Sequence, residues 1–263
     1  MDLDLKDKVV LITGGSKGIG LATAQLMLEE GAKVAIVARS QEGVDAAVSQ
    51  LGGGDDVLGM TGDMGQQTDA EASVANTIDR FGRVDVLVTC AGSSPGGLVE
   101  NLTEEEWFAS LNLKFMGYVR SCKAVLPHMR ERGEGSIVLV VGNDGFKPSH
   151  WELTPGAANA ADQNFASAIA EQYGPHGIRV NTVNPGPVDT ERWVGLEKQM
   201  AKDRGISQQE AHDLAVSSIP LGRICSAEEV ANLVAFVASS RASFVNGAHI
   251  PIDGAQRKPL MDV

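Results

Sequence analysis

The chain has 263 residues, of which 43% are hydrophobic and 21% charged, with a formal net charge of −12. This composition suits a folded globular chain. The acidic field disfavours nucleic acid as a partner, and no apolar run reaches the roughly 20 residues that a membrane helix needs. Three widely spaced cysteines, Cys90, Cys122 and Cys225, have neither the pairing of a disulfide framework nor the histidine neighbours of a zinc site.

The opening residues MDLDLKDKVV alternate acidic and apolar side chains and lack the basic start and cleavage site of a secretory signal, so a cytoplasmic location is expected. Strand-sized runs then recur: VVLIT, KVAIVA, VDVLVT, SIVLVV, IRVNTV and HIPI, separated by segments long enough to cross over as helices. That rhythm predicts a parallel sheet. A run such as Ile137 to Val141, apolar at every position, predicts helices on both faces. The expected fold is α/β, a Rossmann-type doubly wound sheet in a three-layer sandwich. With no repeat or linker to divide it, one domain spans 1–263.

Directly after the first run comes TGGSKGIG, containing Gly14, Ser16, Lys17, Gly18, Ile19 and Gly20, and then LATAQLMLEE, closed by Gly31. Glycines between a strand and a helix let the main chain approach a pyrophosphate, while the helix start offers free N–H groups. The second run ends in Arg39 and Ser40, where an acid would accept ribose hydroxyls and repel a 2′-phosphate. Together with Lys17 these residues favour NADP(H) over NAD(H), although each cation read singly is an ordinary surface charge. Thr103 and Glu106 form a capping box expected to open a long helix to about Met129, and a second long helix is expected from about Ala157 to Tyr173. The charged, helix-forming segment from Glu191 to Leu221 suits a substrate lid, in which Trp193 and Met200 either line an apolar cleft or pack its helices.

From Lys6 through Asp253 these residues closely resemble the classical short-chain dehydrogenase/reductase family. In that resemblance Asp63, in TGDM beside Met64, is the adenine contact, and TCAG, with Cys90, Ala91 and Gly92, is similar to the family's NNAG. IRVNTVNPGPVDT matches the IRVN and PGxVxT signatures, so that Pro185, Gly186, Val188 and Thr190 hold the nicotinamide carboxamide. The two long helices would form a shared four-helix interface, implying a homodimer or homotetramer; otherwise their apolar faces complete the core.

Family members transfer a hydride at the nicotinamide while a Tyr exchanges the proton, assisted by a Lys, a Ser and an Asn. A free phenol titrates near pH 10 and needs that assistance at neutral pH. Counting from the anchored motifs puts Pro155 in place of the Tyr, Asn159 in place of the Lys, Gly142 in place of the Ser and Lys114 in place of the Asn. The chain has two tyrosines, Tyr118 and Tyr173, and neither is followed by a lysine four residues later. Candidate substitutes are Lys114 as the missing ammonium, Asn143 as polariser, and His150 or Asp144 for proton transfer, with Asn159 beside them. The plainer alternatives are a solvated helix lysine, a packing histidine beside Trp151, and a turn at Asp144-Gly145. The expected function is an NADP(H)-dependent oxidoreductase interconverting carbonyl and alcohol with a non-standard proton donor. Its alternatives are a cofactor-binding protein without redox turnover, or a lyase or isomerase using the same cleft.

Overall fold

A computed structural model describes residues 2–257. The first half alternates strictly: β1 (Val9–Thr13), α1 (Gly18–Glu29), β2 (Lys33–Ala38), α2 (Gln41–Gln50), β3 (Val57–Thr61), α3 (Gln67–Phe81) and β4 (Val86–Thr89). Next come α4 (Glu104–Ser110), a π turn (Leu111–Phe115), α5 (Met116–Arg132), β5 (Gly135–Val140), α6 (Leu153–Tyr173) and β6 (Ile178–Pro185). The chain closes with α7 (Glu191–Arg204), α8 (Gln208–Ser217), α9 (Ala227–Ala238) and β7 (His249–Ile252).

All seven strands are parallel, in the order β3-β2-β1-β4-β5-β6-β7. The period of two along each strand divides the core. Val10, Ile12, Val34, Ile36, Val86 and Val88 meet α1 and α9 on one face, whereas Leu11, Ala35, Val37, Leu87, Ile137 and Leu139 meet α3, α5 and α6 on the other. This is the expected three-layer, doubly wound arrangement. Among the described residues no helix is long and apolar enough to cross a membrane.

Both expected long helices are corrected in detail. Thr103 does cap α4 with Glu106, but the helix does not run unbroken to Met129: it widens into the π turn before α5 begins. The wide turn shifts the helical phase, and Lys114, within it, is carried into the protein instead of onto a solvated face. The second helix starts at Leu153, ahead of Ala157. Pro155 is accommodated in its first turn, where the main-chain N–H has no intrahelical acceptor to lose. An edge-to-face contact of Phe115 with Phe165, at 6.3 Å between centroids, joins the π turn to α6.

The segment expected to form a lid folds as α7 and α8, capped by Thr190 and Ser207. It has its own small core of Trp151, Trp193, Met200, Ala201, Ala211 and Ala215. Trp193 and Met200 therefore pack the lid helices together and do not line a cleft.

Candidate active site

The strand order reverses direction at β1, so the crevice above β1 and β4 is the switch point where doubly wound folds bind ligands. Gly14, with φ +72°, turns the chain there so tightly that a Cβ would stand 2.7 Å from the Ala91 nitrogen. Cys90 and Ala91 thus lie against the glycine-rich turn. No side chain caps the first N–H groups of α1, where Gly18, Ile19 and Gly20 sit. Across the turn, Thr190 comes within 3.1 Å of a Cβ built on Gly18, while Pro185 ends β6 and Gly186 packs against Asp253 and Gln256. A main-chain cradle with free N–H groups at a helix start fits a dinucleotide pyrophosphate.

After β2, a point beside Gly43 lies 3.7 Å from Ser40 Oγ and 3.8 Å from Ser16 Oγ, and Arg39 is exposed next to Ser40. Two hydroxyls and a guanidinium fit a 2′-phosphate. Lys17 does not join them. Its ammonium lies 3.0 Å from Glu191, the first residue of the lid, because the turn aims it across the crevice and not along it. Asp63 closes its own turn, accepting a hydrogen bond from Gly65 N at 2.8 Å, while Met64 is buried in the core.

Helix α6 packs on the turn after β5 and on the π turn. Pro155 and Asn159 are buried one helical turn apart on α6. The Asn159 amide donates to Asp144 Oδ1, and this pair occupies the space beside Gly142: a Cβ there would lie 2.5 Å from Asn159 Nδ2 and 2.6 Å from Asp144 Oδ1. A serine at 142 would collide with both groups. Asn143, expected to polarise substrate, is turned away, because its amide donates to Gln256 Oε1 at 2.7 Å and Asp253 Oδ2 at 3.1 Å. Those acceptors belong to the C-terminal segment, so Asn143 anchors the loop. His150 is exposed on that loop, whereas Asp144 is buried.

Lys114 is 8% exposed and extends along Gly92, with its methylenes 3.4–3.7 Å from a Cβ built on that glycine. Burial pulls its ammonium below the ordinary lysine value. Asp144 is the strongest opposing influence; Arg192 adds to the lowering, and Asp162 and Glu152 resist it. Arg192, in the first turn of α7, opens to solvent at the crevice mouth and donates to Ser93 Oγ and the Ser94 carbonyl, each at 3.3 Å. Neither tyrosine reaches the crevice with a free phenol. Tyr118 is buried and donates to the Val140 carbonyl at 2.7 Å, with burial raising its pKa well above the ordinary value, and Tyr173 ends α6. Burial likewise pushes the Cys90 thiol up to about 12, so it is no nucleophile. Sequence reasoning missed Arg192 and Asp162. The signal for Asp162 was its place three residues after Asn159, on the same side of a helix.

The sequence profile of the short chain dehydrogenase family matches residues 8–201. The chain belongs to that family. Curated short-chain dehydrogenases similar to it include the short-chain reductase protein NovJ of Streptomyces niveus, 32% identical over 95% of this chain and 94% of the relative. The 3-oxoacyl-acyl-carrier-protein reductase FabG of Vibrio cholerae is 33% identical over 96% and 98%. Among solved structures, a tryptophan variant of actinorhodin polyketide ketoreductase with NADPH superposes with a TM-score of 0.91 at 31% identity, covering 95% of this chain and 97% of that one. The L-sorbose reductase of Gluconobacter frateurii, complexed with NADPH and L-sorbose, gives 0.89 at 30% identity over the full length of both chains.

Proposed function

We propose that this short-chain dehydrogenase is an NADP(H)-dependent oxidoreductase of carbonyl and alcohol groups in which Lys114 takes the proton-donating part. The observation that carries the reading is the burial of Lys114 against Gly92, at the chemical end of the crevice, with Asp144 in its field. Bound along the crevice, the nicotinamide supplies or accepts the hydride. The protein's own part is to hold the substrate oxygen and move one proton. In reduction, Lys114 Nζ donates a hydrogen bond to the carbonyl oxygen and passes its proton to the alkoxide as that charge develops. An ordinary lysine is too weak an acid for this at neutral pH, and burial shifts Lys114 in the useful direction. Asp144, oriented by Asn159, stands where it can steady the cation.

The preference for NADP(H) is supported by Arg39, Ser16 and Ser40 at the adenosine end, and by the NADPH bound to the two similar reductases. Pro155 favours a second reading, nucleotide binding without turnover, since it offers no proton where the family's phenol belongs. Calorimetric titration with NADPH, NADP⁺, NADH and NAD⁺ tests the site. Arg39→Asp is expected to weaken the phosphorylated forms by about 10- to 100-fold, the size of a lost charge-assisted contact. A panel of ketones and alcohols then tests the chemistry. Lys114→Met should lower kcat by about 10²-fold or more with little change in NADPH affinity. Tight nucleotide binding without turnover of any carbonyl selects the second reading.

A further inference from the structure

Asp162 lies on α6, in the layer where that helix packs on the π turn and α5. It is 0% exposed, and neither carboxylate oxygen has a hydrogen-bond partner within the protein. On the same helix the Asn159 amide oxygen is also buried without a partner. A carboxylate so placed either binds a proton or faces a cation, because nothing else offsets its lost hydration. The cation in its field is Lys114, on the π turn.

The influence is mutual. Burial pushes the Asp162 carboxyl up, to about 8 even with Lys114 pulling it down, while the same burial lowers Lys114 and Asp162 holds it up. The other charged or titratable groups around the pair are Asp144 and Glu152 from the segment after β5, Arg192 from α7, Tyr118 and Cys122 from α5, and Cys90 at the end of β4. Of the two carboxyls that bear most directly on Lys114, Asp144 is already engaged by Asn159, whereas Asp162 has no donor of its own.

We propose that Asp162 is a positioning residue for Lys114: once ionised, its buried carboxylate is the counter-charge that keeps the Lys114 side chain an ammonium. The inference rests on Lys114 acting as the proton donor. Its physical content is a trade of place. The cation reaches the site from the π turn and not from position 159, and a carboxyl three residues further along α6 balances it. Removing that charge lowers the Lys114 pKa further, so the ammonium is lost at a lower pH.

Two measurements test this. In the pH profile of kcat for carbonyl reduction, Asp162→Asn should move the alkaline limb to lower pH, with a loss of roughly tenfold in rate above it for each unit moved, and Asp162→Glu should restore the limb. In thermal unfolding, Lys114→Met and Asp162→Leu should each lower Tm, and the double variant should lose less than the sum of the two, since it removes both buried charges together. Either an unmoved limb in Asp162→Asn or additive losses in Tm overturns the pairing. If the wild-type protein reduces no carbonyl, the donor role of Lys114 fails, and the melting cycle alone still decides whether the two groups are paired.

Discussion

Gly142, Asp144 and Asn159 form one interlocked unit. Read singly in the sequence they are a missing serine, a turn residue and a missing lysine, and nothing in their spacing says that the Asp144 carboxyl and the Asn159 amide meet over Gly142. Helix α6 brings the last of them back beside the loop after β5, and only then does the glycine become a steric requirement. Restoring the serine alone should therefore do harm. Gly142→Ser is expected to destabilise the protein by about 1–3 kcal/mol through overpacking, read as a lower Tm, and to add less than its full cost when Asp144→Ala has already emptied the space. Equal losses in the two backgrounds would show that the serine does not collide with Asp144.

At the scale of elements, the π turn and the lid matter most. The π turn converts Lys114 from a helix-surface residue into a site residue, and its cause is hydrogen-bond geometry that leaves no mark in hydrophobic periodicity. Placement of α7 and α8 depends on Trp151, which is fully buried, shares their core and donates from Nε1 to Asp203 Oδ2 at 2.8 Å. The exposed Lys17–Glu191 pair adds little beside it. Trp151→Ala should cost about 3–5 kcal/mol, concentrated in α7 and α8. Limited proteolysis should then cut near Gly205, between those helices, well before the sheet unfolds. Cleavage no faster than in the wild type would mean that the lid is held by its other contacts.

For the molecule as a whole, a parallel sheet covered on both sides leaves the outer faces of its helices to solvent or to another copy. Phe108, on α4, is 63% exposed, and Met116, at the start of α5, is 37% exposed; both lie in the first of the two helical segments expected to form the shared interface. Sedimentation should find a dimer or tetramer, and Phe108→Glu should shift it towards smaller species. A monomeric wild-type protein would end that reading. The sequence by itself determined the sheet, its two covered faces, the glycine-rich cradle and the family, because these follow from local periodicity and from turns whose main-chain geometry admits few residues. It also disclosed that the YxxxK pattern is absent. Tertiary structure alone decided that Lys114 is buried, that Asp144 is bound to Asn159, that Asn143 is turned away and that Asp162 is buried without a hydrogen-bond partner. Those facts depend on which side chains meet across elements far apart in the chain, where burial and charge are set by neighbours that no local pattern encodes.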